Sequence, residues 1–129
     1  FKDFYIDNIV CNGAAKGIFI RGLPEMQISN INLSNMVLHT DKGIDCIEAT
    51  GINFKNIQLL SKETSPVIHV INSNKIVFDN IGYTARPELL MKLSGSRTKN
   101  IKVINTDKPN SKQFVEFNAG ADNSALEKE

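Results

Sequence analysis

Long apolar runs are missing from this sequence. No window of its 129 residues approaches the roughly 18 consecutive apolar residues that a membrane-crossing helix needs. A surplus of one charge is missing too. Fifteen Lys and Arg stand against 14 Asp and Glu, a net charge of +1, whereas a dedicated nucleic-acid binder carries a basic stripe. Cysteine is scarce, and Cys11 and Cys46 fit neither a metal-ligand spacing nor a C-x-x-C pair. No Trp occurs, and aromatics make up 7% of the chain. Helical periodicity is absent as well. The 41% of hydrophobic residues excludes a disordered chain. The length corresponds to one domain, large enough to bury roughly two-thirds of its unfolded surface. Two residue types are abundant: 15 Asn, which favours turns, and 16 Ile, which favours strands.

One phrase returns along the chain: apolar, any, apolar, any, Asn, then usually apolar. It reads Phe4-x-Ile6-x-Asn8-Ile9, Ile31-x-Leu33-x-Asn35-Met36 and Ile52-x-Phe54-x-Asn56-Ile57. It continues as Ile76-x-Phe78-x-Asn80-Ile81 and closes as Ile101-x-Val103-x-Asn105-Thr106. The Asn residues are spaced by 27, 21, 24 and 25 positions. A second alternating strand lies between copies, with apolar pairs Ile18/Ile20, Ile44/Cys46, Ile68/Val70, Met91/Leu93 and Val115/Phe117. A third short strand follows each Asn, as in Met36 and Leu38.

A unit of roughly 24 residues with three period-2 strands cannot bury its own apolar face. Stacked units can, each strand pairing with its equivalent one coil away at about 4.8 Å. The expected fold is therefore all-β: a parallel β-helix of about five coils over residues 4–118, with a polar tail or cap over residues 119–129. The crossover rule favours the right-handed form. The recurring Asn is expected to form a ladder of side-chain amides at a sharp corner, bonded to the coils above and below. Both cysteines fall on inward positions of different strands and are expected to be buried, inert thiols.

The stretch Ile18-Phe19-Ile20-Arg21-Gly22-Leu23-Pro24-Glu25-Met26, followed by Ile28-x-Asn30-Ile31-x-Leu33, resembles the C-terminal coils of polygalacturonase-like enzymes, glycoside hydrolase family 28, of the type found in gut Bacteroidetes. Gly43-Ile44-x-Cys46 and Ile52-x-Phe54-x-Asn56-Ile57 continue the likeness. The resemblance implies a right-handed parallel β-helix. It also implies an exported parent (periplasmic, cell-surface or extracellular) that hydrolyses galacturonan in pectin without metal or cofactor. The first residue is Phe, so the chain is expected to be processed or cut from a longer helix.

The sequence departs from that family where the chemistry lies. An inverting glycosidase needs one carboxylic acid to protonate the leaving oxygen and a second carboxylate, about 6.5–9.5 Å away, to activate water. The family's Asp-Asp, Gly-His-Gly and Arg-Ile-Lys motifs do not occur. The implied role is a non-catalytic C-terminal segment, with the catalytic coils upstream. Asn105-Thr106-Asp107 spells the family's first motif but sits in the last coil, where a corner Asn and turn explain it. Thr40-Asp41-Lys42-Gly43-Ile44-Asp45 looks like a worn copy of Thr-Asp-Gly-Ile-Asp, and Glu63 follows Asp41 by 22 residues, about one coil.

The outward positions of the second strand line up as Phe19, Asp45, His69, Lys92 and Glu116. Asp45–His69 and Lys92–Glu116 are expected as ladder pairs, and no Ser or Cys is expected near enough to His69 to act as nucleophile. Lys16, Arg21, Asp41 and Lys42 are the candidate substrate-binding residues, because Arg and Lys grip the carboxylates of an acidic polysaccharide. A different class of function is a stand-alone polysaccharide-binding or structural β-helix, which would bind a polymer without cleaving it. In either case an exposed first coil is a liability, met by end-to-end association or by a covering loop.

Overall fold

The computed structural model describes residues 2–83, 87–108 and 114–127, with side chains from residue 5 onward. Residue 1, the Phe4 side chain and residues 128–129 lie outside the described residues.

The chain forms a parallel β-solenoid of about four turns. Strands β1 (Lys2–Arg21) and β2 (Ile28–Ile47) each run through a whole coil. Later coils divide into pairs: β3 (Ala49–Ser61) with β4 (Ile68–Ile71), β5 (Asn74–Tyr83) with β6 (Met91–Ser94), and β7 (Lys99–Ile104) with β8 (Val115–Asn118). The first half of β2 pairs with β3, and its end pairs with β4. The five copies of the phrase are five levels, and β1–β2, β2–β3, β3–β5 and β5–β7 are the parallel steps between them. That is why five repeats make about four turns.

The registers match the alternation in the sequence. Ile31, Ile52, Ile76 and Ile101 form one inward column, and Leu33, Phe54, Phe78 and Val103 the next. Ile44, Ile68, Met91 and Val115 form a third. The phenyl rings of Phe54 and Phe78 stack with centroids 4.9 Å apart and planes 3° from parallel. Both side chains are fully buried. In-register stacking of like residues repeats one packing solution at each level, so each column is a continuous apolar rod.

The corners are made by left-handed residues. Asn8, Asn35, Asn56, Asn80 and Asn105 all have φ between 50° and 57°, a region that Asn tolerates better than any other residue with a Cβ. The expected amide ladder exists in part and on the outside. Asn56 Nδ2 donates to Asn35 Oδ1 at 3.2 Å, and Asn80 Nδ2 to Asn56 Oδ1 at 2.7 Å. At the two ends carboxylates replace amides: Asn35 donates to Asp7 at 2.8 Å and Asn105 to Asp79 at 2.9 Å. An ionised oxygen is the stronger acceptor. The bonds to Asn35 and Ser34 hold the Asp7 carboxyl below its ordinary range. Two further left-handed columns complete each coil: Asn30, Gly51, Lys75 and Asn100, and Glu48, Asn72, Gly95 and Ala119. In the latter, a Cβ on Gly95 (φ 95°) would lie 1.9 Å from Asn72 Oδ1, so a side chain there would have to displace that amide.

The polar tail closes the last level. Asp122 caps a short 3-10 turn, Asn123–Ala125. Ala125 is buried, Leu126 bridges to Ile101, and the Glu127 amide donates to the Ile101 carbonyl at 2.7 Å. Cys46 is buried and its thiol is pushed up to about 12 by burial, so it is inert near neutral pH. Cys11 is also a free thiol, only half-buried at the first level.

Phe54→Ala should destabilise the chain by about 3–5 kcal/mol, because the stack cannot collapse into the void. Urea unfolding followed by circular dichroism measures this. Tyr5→Ala, which removes an exposed ring, should stay within about 0.5 kcal/mol.

Candidate functional site

The site is built on the third side of the coil, where short strands stack at every level. Phe19 is in register with Asp45, Asp45 with His69, His69 with Lys92, and Lys92 with Glu116. Their neighbours along each strand are the inward Ile and Val columns, so alternation alone turns these five side chains outward. Lys92 Nζ lies 3.7 Å from the Glu116 carboxylate, the expected ladder pair.

Beside this column a cleft of about 260 Å³ opens between the turn before β4 and the end of β2. Lys42, Asp45, Glu63 and His69 bring its charge, and Ser65 adds a hydroxyl. Gly43 makes the close approach possible. The carbonyl oxygen of Val67 lies where a Cβ on Gly43 would be, at 2.2 Å, and it accepts from the Ile44 amide at 3.0 Å.

The four candidate binding residues fall in different places. Lys42 lines the cleft, and Lys16 is its in-register partner one level below. Lys16 Nζ also sits 4.0 Å above the centre of the Phe19 ring, a cation–π contact. Arg21 stands at the far end of the same strand, in register with Ile47. Asp41 lies beyond the cleft wall and pairs with Lys62 at 3.5 Å. Asp41 and Glu63 are one level apart, and the Glu63 amide donates to the Asp41 carbonyl at 2.8 Å. The carboxylate that shares the cleft with Glu63 is Asp45.

Asn105-Thr106-Asp107 is a structural corner. Thr106 Oγ1 donates to the Ile104 carbonyl at 2.8 Å and accepts from the Ile81 amide at 3.1 Å. The Tyr83 hydroxyl donates to the Asp107 carbonyl.

One expectation is corrected. A serine does stand beside His69: Ser94 Oγ is 3.1 Å from His69 Nε2. It occupies the next outward position after Lys92, one level up, a diagonal that strict register pairing overlooks. Ser94 spends its single hydrogen on Asn118 Oδ1, 2.5 Å away. Nε2 must therefore carry the proton and donate. Ser94 has no hydrogen left for the imidazole to remove, so the three side chains tie levels together rather than form a nucleophile.

An ion pair between the buried Glu48 and the half-exposed Arg97 has no signature in the sequence. Glu48 is buried at a left-handed corner, and its Oε1 meets Arg97 Nη2 at 2.5 Å. Its other oxygen has no hydrogen-bond partner. The residues are 49 apart in sequence, and no local pattern links them.

Among the described residues, no group of three or more His, Cys, Asp or Glu is placed to hold a metal ion. No described helix is long and apolar enough to cross a membrane. Comparison with family models, curated proteins and solved structures returns no match. The likeness to pectin hydrolases thus rests on this chain's own residues, while the solenoid stands on its geometry.

Burial holds the His69 imidazole below its ordinary 6.5, with Asp45 opposing and Lys92 adding to the effect. The unfolded chain therefore binds more protons than the folded one just below that pH. Stability should fall as pH drops below about 6.5. His69→Gln should flatten that part of the urea-midpoint profile, and an unchanged slope would remove His69 as its source.

Proposed function

We propose that this chain is a non-catalytic β-solenoid segment of a pectin-degrading glycosidase, one that holds galacturonan while the acid and base stand on other coils. The observation that carries it is the in-register pair Lys16–Lys42, of which Lys42 lines the cleft. Parallel stacking sets the backbones of two cations about 4.8 Å apart. Two lysines on adjacent levels favour an anion between their ammonium groups, and a uronate carboxylate is such an anion. Phe19, 45% exposed beside Lys16, offers an apolar face for a sugar ring. The resemblance supplies the polymer, and exported localisation follows from it.

A second reading draws on the cleft itself. Asp45 and Glu63 share it, as an acid–base pair would. Glu63 is exposed to water, not enclosed by apolar side chains as a catalytic acid of this kind is. Binding without cleavage is the better fit.

The test is retention on immobilised polygalacturonate run beside reducing-end release. Retention without release is expected, with Lys16→Glu or Lys42→Glu weakening retention about tenfold, the loss of one charge-assisted contact. Release that Glu63→Gln or Asp45→Asn abolishes would make the chain a hydrolase. Absence of both retention and release would end the saccharide reading.

A further inference from the structure

The two ends of the solenoid differ in kind. At the last level the tail lies across the strands and bonds to Ile101. At the first level nothing comparable is present among the described residues. Strand β1 runs 20 residues and pairs with β2, and no described strand pairs with its other edge. An apolar bowl of about 730 Å³ opens there, rimmed by Ile6, Ile9, Ile18 and Ile20 and floored by Leu33 and Met36. Eight large hydrophobic residues are exposed among the described residues, and seven of them lie between Tyr5 and Met26. The exposed apolar surface is thus concentrated at one end.

We infer that the first level is an interface for a further parallel β-coil with an apolar inward face. The inference stands apart from the saccharide reading. Continuity with the existing interfaces carries it. Every step in the solenoid is a parallel pairing; the β1–β2 step shifts register between Asn12 and Ala14, and on both sides of that shift the inward columns reach β1 without change of character: Ile18 under Ile44, Ile6 under Leu33. A loop or helix laid over the bowl would cover the side chains but leave most of the strand edge unpaired. A second copy turned head to head would run its β1 antiparallel, setting corners against legs. A parallel coil satisfies the apolar columns and the strand edge together.

The experiment supplies such a coil. In the native chain Ala49 follows Glu48 and pairs with Ile28. Residue 1 precedes Lys2, which pairs with Ser29. Residues 28–48 repeated directly in front of residue 1 therefore enter in register. The unmodified chain should bind an apolar-surface dye and self-associate reversibly at micromolar concentration. The extended chain should be monomeric, silent to the dye and several degrees more stable, with β1 amides exchanging at least tenfold more slowly. Leu33→Ser and Met36→Ser made only in the repeated stretch should undo the protection while leaving the original solenoid folded. The inference is overturned by an unmodified chain that is monomeric and dye-silent, with β1 amides as protected as those of β3. It is overturned equally by a discrete dimer, cross-linked through Cys11, that excludes the dye, because a second copy is then the occupant. Fast β1 exchange in the extended chain overturns it as well.

Discussion

A parallel coil can stack only if each level returns to the path of the level below. That closure depends on the corners. At each corner the chain must turn within one residue and re-enter a strand with its inward side chains over their predecessors. A left-handed residue does this, and Asn supplies it at Asn8, Asn35, Asn56, Asn80 and Asn105. Asn has a second property that Gly lacks: its amide bonds to the neighbouring level. The turn and the level-to-level tie thus come from one side chain. The packing of Phe54 on Phe78 and the outward line from Phe19 to Glu116 both depend on that closure being repeated.

The same closure explains what the sequence reveals. A corner that must be left-handed accepts few residue types, so it recurs as a visible letter. An inward column must be apolar, so it recurs as a visible period. The phrase around each Asn and the pairs from Ile18/Ile20 to Val115/Phe117 were legible for these reasons, and their registers agree with the structure. The other two corner columns were not legible, because Glu48, Lys75, Gly51 and Ala119 share a backbone conformation but no common chemistry. The Ser94–His69 contact was missed because it is diagonal across two levels. The Glu48–Arg97 pair was beyond reach because nothing between the two residues marks it.

The candidate site shows the same division. The outward line from Phe19 to Glu116 followed from alternation, whereas the pairing of Lys16 with Lys42 came from the register of β1 on β2. The cleft did not, because its wall is the irregular turn through Ser65 and Pro66, and turns of this kind carry no period. The carboxylate that shares the cleft with Glu63 is Asp45, while Asp41, on the same strand, pairs with Lys62 outside it. Chemistry on a solenoid is placed by its exceptions, on a frame set by its repeats.

The Glu48–Arg97 pair has a consequence for how the molecule comes apart. In a stack where each level touches only its neighbours, disorder enters at an end and spreads one level at a time. Glu48 and Arg97 are not neighbours in that sense, since the corner at Asn72 lies between Glu48 and the Gly95 corner that precedes Arg97. Fraying that frees Arg97 leaves the buried Glu48 carboxylate, two levels away, without its partner. The levels between Glu48 and Arg97 are therefore coupled beyond nearest neighbours. A fibre-like array gains in its middle the cooperativity of a globule.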